Sequence, residues 1–496
     1  MFKLILLLLN IMSKKIAVIG SGFSSLSTAC YLAKGGHEVT VFEKNSNIGG
    51  RASQMKRDGF TFDMGPSWYW MPDVFERFFA DFGRKPSDYY ELVKLAPAYR
   101  VYFGMADYIA IDDNLPEIVK TFEHIEKGSG ALLQEFMAKA KSNYDIAIKE
   151  LVYRPGVSPA ELVTFDTVKK LGQFFGNISN DIRKKFTNKR LIQILEFPVL
   201  FLGAKPTDTP SFYNFMNYAD FGLGTWHPKT GMYDVVKAMT DLATGLGVHF
   251  VTAANVSKIV VDNKKAVALI VNGKRIEADV IVSGADYHHT ESLLEEKFRQ
   301  YTEKYWESRV FAPSSLLFYV GFNKKIDISH HALFFDVDFD KHAAAIYDSP
   351  EWPEAPLFYA NFPSVTDKTA APEGMESGFF LIPLAPGIED NEILREKYFN
   401  IIIERFEKLT GQHIKDSIIF KESFCKNDFV ERYNSYKGNA YGMANTLLQT
   451  AFLRPKLKSK KVKSLYFTGQ LTVPGPGVPP ALISGKLSAA LIEKHL

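Results

Sequence analysis

Residues 16–25 read IAVIGSGFSS, and the fold of the chain turns on them. Ile16-Ala17-Val18-Ile19 is a short, wholly apolar run, the pattern of a parallel strand buried on both faces. Gly20-Ser21-Gly22 then turns the chain. From Phe23 to Lys34 the residues Leu26, Ala29, Cys30 and Ala33 fall at i, i+3, i+4 and i+7, which predicts a helix with one face toward a sheet. Gly35-Gly36 ends it. A second strand, Val39–Phe42, leads into Glu43. The order is β-α-β, which predicts an α/β fold with a Rossmann-like domain.

Each residue in this turn has a chemical use. Gly20 permits the tight bend, and Gly22 lets the backbone approach a pyrophosphate. Phe23 and Ser24 open the helix, where unpaired N–H groups and the positive end of the helix dipole attract phosphate. Glu43 is placed to accept hydrogen bonds from an adenosine ribose. One element departs from the dinucleotide fingerprint: its third glycine is Ser25 here. That position packs helix on strand and does not touch ligand, so a small serine is expected to leave the site working. Its hydroxyl is expected to bond back to the carbonyl four residues earlier.

Lys44 follows the acid, and then come Gly49-Gly50-Arg51 and Gly59-x-x-x-Asp63-x-Gly65, continuing into Pro66 and Ser67. A flexible turn and a guanidinium just past the second strand suit a diphosphate. The combination resembles the two-dinucleotide-binding-domain flavoproteins of the amine oxidase type. That resemblance implies FAD as cofactor. It implies that Glu43, Lys44, Gly49, Gly50 and Arg51 hold its adenosine and pyrophosphate, and it adds Gly65, Pro66 and Ser67 to the site.

Residues 224–286 read as a second cofactor segment. A helix with Val235, Met239 and Leu242 on one face precedes alternating strands, and Asn272-Gly273 marks a hairpin. The resemblance implies that Val256 pairs the adenine through its backbone. Pro228-Lys229-Thr230-Gly231-Met232 lacks one glycine of the related motif, so no ligand contact is placed on Thr230. Near the end, SLYFTGQLTVPGPGVPPALISG (464–485) predicts a strand at Leu465–Phe467, a Pro/Gly loop, and a helix starting near Ala481. N–H groups at that helix start would face the pyrimidine end of a flavin, where reduction adds negative charge. This end resembles the bacterial and fungal phytoene desaturase family, as do residues 215–228, 362–374 and 439–455. The resemblance implies flavin contacts at Gly469, Gly477, Val478 and Pro479. Gln470 stands where many relatives have an acid against the ribityl chain.

The chain has 496 residues, enough for at least two domains. The cofactor domain is expected from residues 12–100, 223–299 and 431–496. A discontinuous α+β substrate and membrane-associating domain is expected from 101–222 and 300–430. A net charge of +3 gives no reason to expect a nucleic-acid partner. Forty Phe residues fit either large aromatic cores or a long apolar cavity. Two cysteines, Cys30 and Cys425, form no disulfide framework or metal motif, and a reducing, cytoplasmic location is expected. No third ligand has helical spacing with either histidine pair, 288–289 or 330–331, so no metal site is expected.

The family resemblance implies stepwise desaturation of a C40 polyene, with phytoene as substrate and lycopene as the direction of travel. An allylic C–H gives a hydride to flavin N5, and a neighbouring carbon loses a proton. Asp220 and His288 are the candidate proton acceptors. Open alternatives are a carotenoid cis–trans isomerase, a later-step or C30 desaturase, and a non-catalytic prenyl-lipid escort protein. Such a hydrocarbon resides in lipid, so peripheral binding to the inner face of the membrane is expected. Phe165–Arg190 carries Lys169, Lys170, Arg183, Lys184, Lys185, Lys189 and Arg190 around an apolar stripe, either a membrane-surface helix or a core helix with a solvated basic side. Leu4–Leu9 is too short to span a bilayer, which takes about 20 apolar residues. Residues 1–11 are read as a start-site artefact preceding Met12, or else a short membrane-touching tail.

Overall fold

The computed structural model describes residues 13–162, 170, 172–173 and 176–496. The expectations for residues 1–11, and for most of 165–175, lie outside the described residues.

Lys15–Ile19 forms the middle of a five-stranded parallel sheet. The order is Leu465–Phe467, Val280–Ser283, Lys15–Ile19, Glu38–Phe42, His249–Val251. Strand alternation sends Ile16 and Val18 to one side, with Val39, Val41 and Val282, against the helices Phe23–Lys34 and Tyr233–Gly245. Ala17, Ile19 and Ile281 point the other way, into a core shared with the antiparallel sheet of Val256–Asp262, Lys265–Val271 and Lys274–Glu277. Both faces are covered, which is why the strand reads as an unbroken apolar run. Asn272 and Gly273 both take positive φ, 47° and 78°, as a two-residue hairpin requires. The last helix, Val478–Glu493, starts earlier than its apolar pattern predicts. Pro479 and Pro480 occupy its first turn, where no N–H is needed.

A second, seven-stranded sheet is assembled from residues far apart in sequence. Its order is Ile418–Phe424, Ser314–Phe322, Glu376–Leu384, Phe358–Asn361, His331–Phe334, Tyr99–Gly104, Asp107–Ile111. Every pairing is antiparallel except that of His331–Phe334 with Tyr99–Gly104. One face, with Phe318, Phe334 and Phe380, packs on Phe399, Ile402 and Phe406 of the helix Glu392–Thr410. The other face, with Leu317, Leu333 and Phe379, belongs to the core that surrounds the cavity described below.

The described part of Phe165–Arg190 fits the core alternative rather than the membrane-surface helix, and it forms two helices instead of one. Two short helices, Ile178–Arg183 and Lys189–Glu196, are each capped by an asparagine side chain, Asn177 and Asn188. Ile178, Ile182 and Phe186 are fully buried in the core rather than presented outward. Arg183 pairs with Glu196 and Asp340, Lys185 with Glu135, and Arg190 with Asp107. Three of the bases are thus paired with acids, while Lys184 and Lys189 are exposed. Among the described residues, no helix is long and apolar enough to cross a membrane.

Candidate functional site

A single cavity of about 970 Å³ runs along the ends of the parallel strands and continues beneath the seven-stranded sheet. Its volume lies at the upper end of the range for small-molecule sites. Gly20, Gly22, Phe23 and Ser24 line it, with Gly49, Gly50 and Arg51 opposite. Glu43, Lys44 and Val256 line it, as do Gly65, Pro66 and Ser67. From the C-terminal segment come Gly469, Gln470, Gly477, Val478 and Pro479. The three stretches read from sequence as cofactor segments thus meet on one wall.

The geometry of this wall fits a dinucleotide. A Cβ built on Gly22 meets nothing within 4 Å, and the backbone there is ordinary extended chain (φ −69°, ψ 171°). The chain itself does not need glycine at position 22; a ligand approaching the backbone does. Gly50 crosses so close that its Cβ would lie 3.2 Å from Gly22 Cα. The Glu43 carboxylate is held by the backbone N–H groups of Ser21 and Asn45, at 3.0 and 2.8 Å. Its other two donors are Ser21 Oγ and Asn45 Nδ2, side chains that can rotate aside for ribose hydroxyls. Lys44 turns its ammonium to the Glu431 carbonyl and Asn434.

Arg51 carries the strongest ligand signal. The guanidinium donates to Ser435 Oγ at 2.9 Å and to the Asn439 carbonyl at 3.3 Å, and it lies over the Tyr433 ring. Its Nε is buried with no partner. Burial lowers its pKa, and the nearby charge of Asp286 pulls it back up. A desolvated cation with a spare donor on a cavity wall suits an anion such as a pyrophosphate. With the Gln470 amide oriented so that its oxygen faces Arg51, that oxygen accepts from both terminal nitrogens, at 3.1 and 3.3 Å. Sequence reasoning missed Tyr433, Ser435 and Asn439. Their signal was a polar, glycine-bearing loop in the C-terminal stretch.

One sequence reading changes here. Ser25 is fully buried, and its hydroxyl has no hydrogen-bond partner, so it does not bond back along the helix. Thr28 makes that bond instead, to the Ser24 carbonyl. Ser25 Oγ fills the space over Gly284, whose Cβ would stand 2.0 Å away. The glycine missing from the helix is matched by a glycine at the end of the adjacent strand. Asp63, in turn, faces the backbone N–H groups of Met232 and Tyr233, at 2.6 and 3.0 Å, and so caps the helix of the second cofactor segment. Gly231 is required there, since its Cβ would lie 2.6 Å from the Asp63 carboxylate, whereas Thr230 is exposed and pairs with Asp234.

Neither candidate proton acceptor reaches the cavity wall. Asp220 is buried behind it, accepting from Tyr99 Oη at 2.7 Å. Burial pushes its pKa up to about 8, which favours the protonated carboxyl at neutral pH. His288 lies away from the cavity, with Nε2 2.9 Å from Glu303 and its ring against Tyr436. Its neighbour His289 does line the cavity, and burial lowers its pKa to about 4.

Beyond the dinucleotide wall the cavity becomes apolar. Leu317, Leu333, Phe379 and Leu381 of the seven-stranded sheet face it, and Phe197 and Phe215 also line it.

The sequence pattern described as flavin containing amine oxidoreductase matches residues 23–493. A carotenoid 3,4-desaturase of Haloarcula japonica is 40% identical over 490 residues, covering 98% of this chain and 99% of that protein. A 4,4'-diapophytoene desaturase (4,4'-diaponeurosporene-forming) of Staphylococcus haemolyticus is 32% identical, covering 96% of this chain and 98% of the relative. Among solved structures, an oxidoreductase from Methanosarcina mazei superposes with a TM-score of 0.62 at 17% identity, covering 97% of this chain and all of that one. This last likeness speaks to fold alone.

Proposed function

Since the chain belongs to the flavin containing amine oxidoreductase family, we propose that it is an FAD-dependent carotenoid desaturase acting on a linear carotene. The observation that carries this reading is the continuity of one cavity from the Gly22–Glu43–Arg51 cradle into a chamber walled by Phe and Leu. FAD, when bound, supplies a hydride acceptor. The chain does the rest. Glu43 and Gly22 fix one end of the cofactor, and Arg51 neutralises its phosphates. The apolar chamber aligns a polyene and keeps water from the reacting carbons. The relatives' names, a 3,4-desaturase at 40% identity and diapophytoene desaturases at 32%, support a later C40 step ahead of the phytoene-to-lycopene steps or a C30 precursor. The test is incubation of the flavin-loaded protein with phytoene, diapophytoene and a later C40 carotene in separate liposomes, followed by chromatography and mass analysis. Loss of two hydrogens from the later carotene is the expected result. Products of unchanged mass would assign an isomerase, and no product from any of the three would refute the reading.

The same reading proposes a lipid surface as the docking partner. What supports it is the cavity mouth. Gly156, Leu447, Leu448 and Leu453 line the cavity, and Leu448 is 74% exposed. Val157 follows at 63% exposure. Val310 is tied to the same rim through paired hydrogen bonds with Gln449. Lys456, Lys458, Lys460, Lys461 and Lys463 follow this rim in sequence and are at least partly exposed, which suits anionic headgroups. Leu448→Asp with Leu453→Asp should release the protein from anionic vesicles at unchanged flavin content; full vesicle binding by that variant would move the docking surface elsewhere.

A further inference from the structure

Desaturation removes a proton as well as a hydride, and with Asp220 and His288 away from the wall the acceptor must be sought on the cavity itself. Ser67 and Tyr359 both line it. Ser67 Oγ lies 2.9 Å from Tyr359 Oη, and Tyr359 Oη lies 2.7 Å from His331 Nδ1. Asn361 fixes the direction of this chain. Its Nδ2, which only donates, reaches the His330 carbonyl at 3.0 Å and His331 Nδ1 at 3.3 Å. This contact favours His331 Nδ1 as an acceptor, with the ring proton on Nε2, which is buried with no hydrogen-bond partner among the described residues. Tyr359 must donate to it, and Ser67 must donate to Tyr359. That leaves the lone pairs of Ser67 Oγ as the open end of the chain. His331 is fully buried, with Trp68 stacked on its ring at 4.0 Å and 8°. No carboxylate hydrogen-bonds it among the described residues; its ring neighbours include His330, which is also close to His227.

We propose that Ser67, Tyr359 and His331 form the relay that takes the substrate proton from the cavity wall. This rests on the desaturation reading above. Bound FAD would supply the acceptor for one hydride, the electron pair of one substrate C–H bond with its hydrogen. The neighbouring C–H bond breaks and its electrons become the new π bond. Its proton goes to Ser67 Oγ as the Ser67 proton passes to Tyr359 and the Tyr359 proton to His331 Nδ1. The substrate loses one hydride and one proton, and the protein gains one proton, on an imidazole. Burial and the neighbouring His227 keep His331 well below the usual histidine range, so it waits neutral, and with no partner on Nε2 it returns the proton along Tyr359 and Ser67 to the cavity once the product has left. A carbon next to an electron-deficient centre is acidic enough to protonate such a weak base. The facing Trp68 ring steadies the transient cation.

The test compares wild type with Tyr359→Phe, a small change of shape. In Tyr359→Phe flavin content should stay at the wild-type level while single-turnover desaturation falls on the order of 100-fold. Wild type should show a solvent deuterium isotope effect that Tyr359→Phe loses. A second readout needs neither flavin nor substrate: nitrogen-15 histidine spectra of the flavin-free protein, with His331 assigned by its absence in His331→Gln. The Nε2–H tautomer is expected, with Nδ1 shifting in Tyr359→Phe. An Nδ1–H tautomer would overturn the relay, as would turnover within twofold of wild type. Lost turnover with the isotope effect intact would overturn it too, by marking Tyr359 as structural. Absence of desaturation in the wild type would instead remove the functional reading, which the spectra do not depend on.

Discussion

The pairing of Ser25 with Gly284 can be tested by a double-mutant cycle. A methyl group at position 284 would lie 2.0 Å from Ser25 Oγ, 3.3 Å from Ser25 Cβ and 3.3 Å from Thr468 Cγ2. Gly284 has no positive φ, so Ala is allowed by its backbone and the whole cost is steric. Its N–H also donates to the Ile19 carbonyl, so the strand end cannot retreat without losing a sheet bond. Overpacking of this kind costs about 1–3 kcal/mol. Ser25→Gly alone should be close to neutral. It gives up roughly 0.5 kcal/mol of helix propensity and regains about 1 kcal/mol by removing an unpartnered buried hydroxyl. In the double variant the 2.0 Å contact is gone, and about 1–2 kcal/mol of the loss should return as coupling energy. The measurements are urea midpoints of the flavin-free proteins and flavin affinity of the loaded ones. If Gly284→Ala alone matches wild type, or the double variant is no better than Gly284→Ala, the compensation argument is wrong.

Three further outcomes follow from the site. Gly22→Val should leave the flavin-free urea midpoint unchanged, because its Cβ meets no protein atom, yet abolish flavin binding; a yellow Gly22→Val protein would refute the cradle. Arg51→Ala should weaken FAD by roughly 1.5–3 kcal/mol, about 10- to 150-fold in Kd, as for a lost charge-assisted hydrogen bond; equilibrium dialysis would read it, and an unchanged Kd would take Arg51 off the phosphates. Asp220→Asn should keep desaturation at neutral pH. The folded-state pKa of Asp220, about 8, stands above its unfolded value, so its stabilising effect is full below about pH 4 and is lost as pH rises through 8. Stability of Asp220→Asn relative to wild type should therefore climb by about 1.4 kcal/mol per pH unit between those limits; a flat difference would mean that Asp220 is ionised.

The cofactor half was legible because its signals are local. Apolar strand, glycine turn, helix period and acid all lie within residues 16–43, and the structure returns the helix at Phe23–Lys34 and the strand at Leu465–Phe467 where the pattern put them. The Ser25 hydroxyl was misjudged because its real neighbour, Gly284, is far along the chain. The seven-stranded sheet was not legible for the same reason: Phe358–Asn361 pairs with strands on either side through register that no local period encodes. The basic segment misled because the acids that pair with Arg183, Lys185 and Arg190, namely Glu196, Asp340, Glu135 and Asp107, lie outside it in sequence. The proton acceptors were guessed from residue type, whereas position on the wall depends on how Trp68, Tyr359 and His331 stack in space.

The close contact of the first and last long helices has a consequence for biogenesis. A Cβ on Gly485 would lie 2.5 Å from the Ser24 carbonyl, so the two helices touch backbone to backbone, and Ser27 Oγ bonds the Leu482 carbonyl. The outer strand Leu465–Phe467 completes the same sheet from the far end of the chain. The glycine turn after Lys15–Ile19 and the helix that packs on it from Val478 lie far apart in the order of synthesis. Such distant closure is slow, and the half-built sheet exposes an unpaired edge meanwhile. A cofactor that binds the closed form more tightly than the open one draws newly made protein into the native state before that edge finds another partner.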